Sequence, residues 1–207
     1  MKTEKKIKIL MAMPMGVHAI EPSALDCFAN VHKPDNVVVV YKYLIGYGIT
    51  DARHAAAKLA IEAKADYVLF VDSDVLISPQ TLEKLLALDA DIACGFYVRK
   101  HEPELTEIRV LALDGIQMKK IALDEIASVI KPTEIAACGF GCALVKTHVF
   151  DKIKVDGAYF RWVQTSTKFC TEDLDFCRRA VEAGCKIILE PSLLCGHIAK
   201  VILPQKK

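Results

Sequence analysis

No stretch of the 207-residue chain approaches the roughly 18 consecutive apolar residues that a membrane-crossing helix needs. The opening Met1-Lys2-Thr3-Glu4-Lys5-Lys6 runs into a strand-like segment without the apolar core of a secretory signal, so the expected location is the cytoplasm. An excess of either charge is missing as well, with 27 Lys plus Arg against 26 Asp plus Glu and a net charge of +1. With neither a basic face nor an acidic tail, nucleic acid is not an expected partner. Cysteine is not scarce, but Cys27, Cys94, Cys138, Cys142, Cys170, Cys177, Cys185 and Cys195 form no CxxC pair. That spacing argues against a zinc knuckle, and most of these residues fit apolar strand or helix patterns as small buried hydrophobes. The length suffices for one sizeable core, and a single domain over residues 1–207 is expected.

What the chain does have is Tyr67-Val68-Leu69-Phe70-Val71-Asp72-Ser73-Asp74. Five apolar or aromatic residues in a row, too short for a helix, predict a strand buried on both faces. It ends on two acids. A carboxylate inside a sheet is costly unless paired or coordinated, so Asp72 and Asp74 are expected at an open edge. The carboxyl ends of strands are where open α/β sheets bind ligands, and two carboxylates there suit a divalent cation and a phosphorylated substrate.

Around this strand the chain alternates. Lys8 to Ala12 predicts a first central strand stopped by Pro14 and Gly16, Ser23 to Val31 a short amphipathic segment, and Val37 to Tyr41 a second buried strand. Apolar residues at 52, 55, 56, 59, 60 and 63 predict a helix over 50–65 with Thr50 as its N-cap. Arg53 and His54 sit in its first turn, where Arg53 is a candidate ligand for an anionic or nucleotide group. Ser78-Pro79 marks another helix start, and a strand from Asp91 to Val98 ends on Arg99-Lys100. Residues 101–135 are irregular and read as a variable excursion.

Pattern returns at Gly139-Phe140-Gly141, a glycine pair that permits either a tight turn or close backbone approach to a ligand. Trp162, in the aromatic run Tyr159-Phe160-Arg161-Trp162, is a packing residue or an apolar platform for a sugar ring. Thr171 caps a helix that opens on Glu172-Asp173, buries Leu174, Cys177 and Val181, and stops at Gly184. A last strand, Lys186 to Leu189, precedes Pro191 and then Cys195-Gly196-His197.

The order Ala52-Arg53, Asp72-Ser73-Asp74, Gly139-Phe140-Gly141, Glu172-Asp173 and Gly196-His197 resembles the GT-A glycosyltransferases, particularly the compact enzymes similar to family 2. The resemblance covers about residues 5 to 200. It implies one α/β domain with a mixed, mostly parallel sheet flanked by helices, a nucleotide-diphosphate sugar (hexosyl) donor, and an unknown acceptor that is a saccharide, lipid-linked or a protein. By the same resemblance Asp74 binds Mn²⁺ or Mg²⁺ directly, Asp72 touches the donor ribose or reaches the metal through water, and His197 is a further metal ligand. An imidazole favours manganese. Arg53 and Gly139 would contact the donor, Trp162 and Glu172 the acceptor, and Asp173 would be the base of an inverting transfer. One departure concerns the donor: Tyr41-Lys42-Tyr43 stands where many members carry the acid that reads uracil, so guanosine remains open beside uridine.

Two alternatives differ in class. Phe70 to Val75 also looks like the haloacid-dehalogenase phosphatase signature, with Asp72 as nucleophile. That motif normally ends the first strand of its fold and leads into a Thr or Gly-Thr turn, whereas two strands and a helix precede it here. The other is a non-catalytic protein of the same fold that binds nucleotide sugars.

Overall fold

The computed structural model describes residues 6–16, 21–111, 118–164 and 169–199. In chain order the first half contains β1 (Ile7–Met15), α1 (Pro22–Ala29), β2 (Val37–Ile45), α2 (Ile49–Glu62), β3 (Tyr67–Val71), β4 (Val75–Leu76), α3 (Thr81–Ala87) and β5 (Ile92–Phe96). The middle contains β6 (Leu105–Leu111), β7 (Met118–Ala122), α4 (Leu123–Ala127), β8 (Thr133–Ile135), β9 (Cys142–Lys146) and α5 (His148–Ile153). The last part contains β10 (Val163–Gln164), β11 (Phe169–Cys170), α6 (Glu172–Glu182), β12 (Ile187–Leu194) and β13 (Gly196–His197).

Seven strands form one sheet in the order β2-β1-β3-β9-β5-β12-β8. β2, β1, β3, β5 and β12 run one way, and only β9 and β8 run against them, so the sheet is mixed and mostly parallel. β3 is central and covered on both sides, as its unbroken apolar run predicts. Val68 and Phe70 enter one core with the alanines of α2 and with Phe140, Phe150, Phe160 and Phe176. Leu69 and Val71 enter the other, with Phe28 of α1 and Leu82 and Leu85 of α3. Phe160 stacks on Phe176 with centroids 4.6 Å apart, and aromatic pairs of this kind add about 0.5–1.5 kcal/mol beyond area burial.

Several elements depart from expectation. β2 is an edge strand with Val38, Val40 and Ile45 exposed, so its valine run reflects β-propensity rather than burial on both faces. β1 continues through Pro14 to Met15. The backbone N–H of Ile7 bonds toward β2, so by alternation the nitrogen of Pro14 points toward β3, which pairs only as far as Ala12. α2 starts on Gly48 as N-cap, and the Thr50 hydroxyl is buried without a hydrogen bond instead of capping. α3 begins at Thr81, the Ser78 hydroxyl instead accepting from the Gln80 amide. β12 runs through Pro191 to Leu194 with a register shift against β5. The excursion at 101–135 is the β6–β7 hairpin, α4 and β8, residues 112–117 lying outside the described ones.

Candidate active site

Parallel strands bring their carboxyl ends to one edge of the sheet, and the antiparallel β9 brings its beginning there, with Cys142 opposite Val71 of β3. At this edge opens a cleft of about 520 Å³, lined by Arg53, Asp72, Asp74, Trp162, Glu172, Asp173 and His197 among others. Residues drawn from α2, the turn after β3, α6 and β13, up to 144 positions apart (Arg53 to His197), thus converge on one volume. A smaller recess of about 240 Å³, lined by Pro14, Met15, Gly16, Tyr47, Ile49 and Asp72 to Asp74, adjoins it along the acidic motif.

Arg53 is only 3% exposed. Its guanidinium donates to both oxygens of Asp72 at 3.0 and 3.1 Å and to Glu172 Oε1 at 2.5 Å. Burial alone would lower its pKa, and the charges of Asp72, Asp173 and Glu172 overcome that, so the group lies above the usual arginine value. Arg53 is therefore a fixed cation that ties the strand carrying the acids to the helix carrying Glu172. Its Nε is buried without a hydrogen bond. Glu172 shifts the other way: burial raises its pKa, Arg53 opposes, and the neighbouring Asp173 adds to the rise.

Asp74 meets different partners. Its Oδ1 lies 3.8 Å from His197 Nε2, and its Oδ2 accepts from Lys100 Nζ at 2.5 Å. His197 is placed by β13, which pairs with β4 directly after the acidic turn, His197 opposite Val75. Its Nδ1 is 2.7 Å from the Val98 carbonyl, which can only accept. Nδ1 therefore donates, and in the neutral ring Nε2 keeps its lone pair on the Asp74 side. Among the described residues no three His, Cys, Asp or Glu side chains form a metal cage. The donor set is a carboxylate and an oriented imidazole facing an open cleft, which fits a cation whose other positions are filled by ligand oxygens and water.

Asp173 also lines the cleft, and its Oδ1 accepts from the Thr171 hydroxyl and from the Leu174 amide at 2.8 Å. Its Oδ2 has no hydrogen bond among the described residues. Trp162 is 48% exposed at the rim. Gly139 does not line the cleft. A side chain there, or at Gly141, would run into the ring of Tyr97, whose hydroxyl accepts from the Gly141 amide at 3.0 Å. The glycine pair thus serves close approach to an aromatic ring. Burial and the charge of Asp72 hold Tyr97 well above the usual phenol pKa, so it stays protonated.

Sequence reasoning did not single out Tyr97, although its ring edge packs on His197 at 4.9 Å, nor Lys100 as a partner of Asp74. Basic residues at the end of β5 were the available signal. It also missed Asp175, which is 1% exposed and accepts from Arg161, Arg178 and Arg179. Arg179 donates further to the carbonyls of Ile153 and Tyr159, so this cluster anchors α6 to the segment leading to Trp162.

The fold and the site together define a GT-A glycosyltransferase. Residues 23–154, more than half of the chain, match the family model of Glycosyl transferase family 2, and the chain belongs to that family. That membership makes it a nucleotide-sugar glycosyltransferase by class. Among solved structures, A197 from STIV is similar with a TM-score of 0.60 and 18% identity, covering 94% of this chain and 87% of that one. GalNAc-T7, crystallised with UDP, GalNAc and Mn²⁺, is similar with a TM-score of 0.58 and 13% identity, covering 96% of this chain and 45% of that one. At such identities the likeness shows the fold alone. No curated protein sequence matches the chain. Among the described residues no helix is long and apolar enough to cross a membrane.

Proposed function

We propose that the protein transfers a sugar, with inversion and with Mn²⁺ as cofactor, from a nucleoside diphosphate to an acceptor hydroxyl. The observation that carries this reading is the pairing of Asp74 with a His197 whose Nδ1 is held by Val98, in a cleft that Asp173 also lines. A divalent cation bound there would neutralise the departing diphosphate. Mn²⁺ suits an imidazole and a carboxylate better than Mg²⁺ does, and the GalNAc-T7 structure with UDP and Mn²⁺ is a precedent for the fold.

Asp72, fixed by Arg53, borders the recess formed by Met15, Gly16 and Tyr47, a volume suited to the nucleoside. Arg53 then acts on the donor by orienting Asp72, and Gly139 acts through the Tyr97 ring that it admits. Asp173 Oδ2 takes the acceptor hydroxyl's proton as that oxygen attacks the anomeric carbon and the bond to the diphosphate breaks. Trp162 offers an apolar face to the acceptor, and Glu172, behind Asp173, shapes the same wall through Arg53. The phosphatase reading is disfavoured because its signature ends the first strand of its fold, whereas here the motif follows β3, after β1, α1, β2 and α2.

Calorimetric titration with UDP, GDP, CDP and dTDP, each with and without Mn²⁺, tests the reading. One diphosphate should bind tightly only with the metal, and the matching nucleotide sugar should be turned over. Asp173→Asn should keep that binding and lose about 10³-fold in turnover, in the range of general-base removal. Normal transfer by this variant would contradict the assignment of the base.

A further inference from the structure

Among the described residues four Lys and Arg side chains line the cleft: Arg53, Arg99, Lys100 and Arg109. Three have partners other than the proposed metal ligands Asp74 and His197. Arg53 is held by Asp72 and Glu172, Arg99 by Glu102 and Glu107 at 3.1 and 3.4 Å, and Arg109 by the carbonyls of Thr106 and Ile108. Lys100 differs, because its partner is Asp74, the carboxylate that the metal reading assigns to the cation. The two side chains are 33% and 35% exposed, and ion pairs with that much water around them hold weakly and exchange readily. Lys100 also lies two residues beyond Val98, so the same short connection between β5 and β6 touches both Asp74 and His197.

We propose that Lys100 is a mobile cation for the donor's diphosphate: it pairs with Asp74 and moves to the phosphate oxygens when Asp74 accepts a metal. The inference rests on the reading of Asp74 and His197 as the metal pair. With a divalent cation on Asp74, the ammonium would face a charge of its own sign a few ångströms away, and a diphosphate bound beside that cation would offer it a new partner. A lysine is suited to this role because its ammonium is a point charge on a flexible stem, unlike the buried guanidinium of Arg53. Two effects of opposite sign follow. Lys100 competes with the metal for Asp74, and it adds to diphosphate binding once the metal is in place.

The test uses Mn²⁺ alone and inorganic pyrophosphate, so it is independent of which nucleotide the enzyme takes. Mn²⁺ is titrated into wild type, Lys100→Gln and Lys100→Arg by electron paramagnetic resonance, and pyrophosphate is then titrated into the Mn²⁺-saturated proteins by calorimetry. Lys100→Gln should bind Mn²⁺ about threefold more tightly, the worth of an exposed ion pair, and pyrophosphate about tenfold more weakly, the worth of a hydrogen bond to a charged group. Lys100→Arg should restore most of the pyrophosphate affinity. Equal Mn²⁺ affinity in wild type and Lys100→Gln, or unchanged pyrophosphate affinity, overturns the role of Lys100 while leaving the metal pair standing. Absence of Mn²⁺ binding by wild type overturns both.

Discussion

Glu172 and Asp175 lie three residues apart on α6, are both buried, and both take hydrogen bonds from arginine, yet their pKa values move in opposite directions. At Asp175, burial would raise the pKa, and the hydrogen bonds from Arg161, Arg178 and Arg179 outweigh it. At Glu172, burial prevails over the single Arg53, with the charge of Asp173 on the same side. The difference separates a carboxylate used as a fastener from one placed at the candidate site. Asp175 holds Ile153 and Tyr159 through Arg179, whereas Glu172 lines the cleft, where the charges of Asp173 and Asp72 act on it.

The sharpest way to break this comparison is Asp175→Ala. It strands three arginines, one of them buried, and should cost about 3–5 kcal/mol in denaturant unfolding at neutral pH. Because the folded pKa of Asp175 is depressed, its stabilisation is present above the unfolded aspartate value and is lost as pH falls through the folded one. Wild type should therefore lose stability on that acid limb, and the variant should show a flatter one.

Glu172→Gln should behave in the opposite sense. Its folded pKa is raised, so the charged form costs stability, and that cost sets in as pH rises from the unfolded value through the folded one. The neutral amide keeps an acceptor for Arg53, and stability at pH 7 should rise by no more than ~1 kcal/mol. A large loss would mean that the two carboxylates are equivalent fasteners. Smallest of all, Val181→Lys should change stability by less than about 0.5 kcal/mol, because Val181 is 39% exposed.

Val181 also shows where the sequence was legible and where it was not. A helix opening at Thr171-Glu172 and ending at Gly184, with φ of +77°, follows from local chemistry and is there. Its phase was misjudged. Leu174, Cys177 and Val181 satisfy an apolar stripe, but the buried face also holds Phe176 and Ala180 together with Asp175 and Arg179, a pair whose polarity hides its burial. The same applies to Arg53, which in sequence is a basic residue in a first helical turn and in the fold is locked between two acids 19 and 119 positions away. β3 and its acids were readable because burial on both faces leaves a continuous apolar run, and the chemistry of the two carboxylates needs no knowledge of neighbours. The wall made by Tyr97, Val98 and Lys100 was not, because each owes its place to contacts with Gly141, His197 and Asp74 that no local pattern encodes.

The account turns on Asp74 as the group that brings a metal and a nucleoside diphosphate together. The most direct measurement compares wild type with Asp74→Ala by calorimetric titration of the preferred nucleoside diphosphate with and without Mn²⁺, alongside their melting temperatures. Asp74 is half-exposed at a sheet edge, so the variant should melt as wild type does and lose the manganese-dependent part of binding. Retention of manganese-dependent binding by a normally folded Asp74→Ala would contradict the assignment of the site.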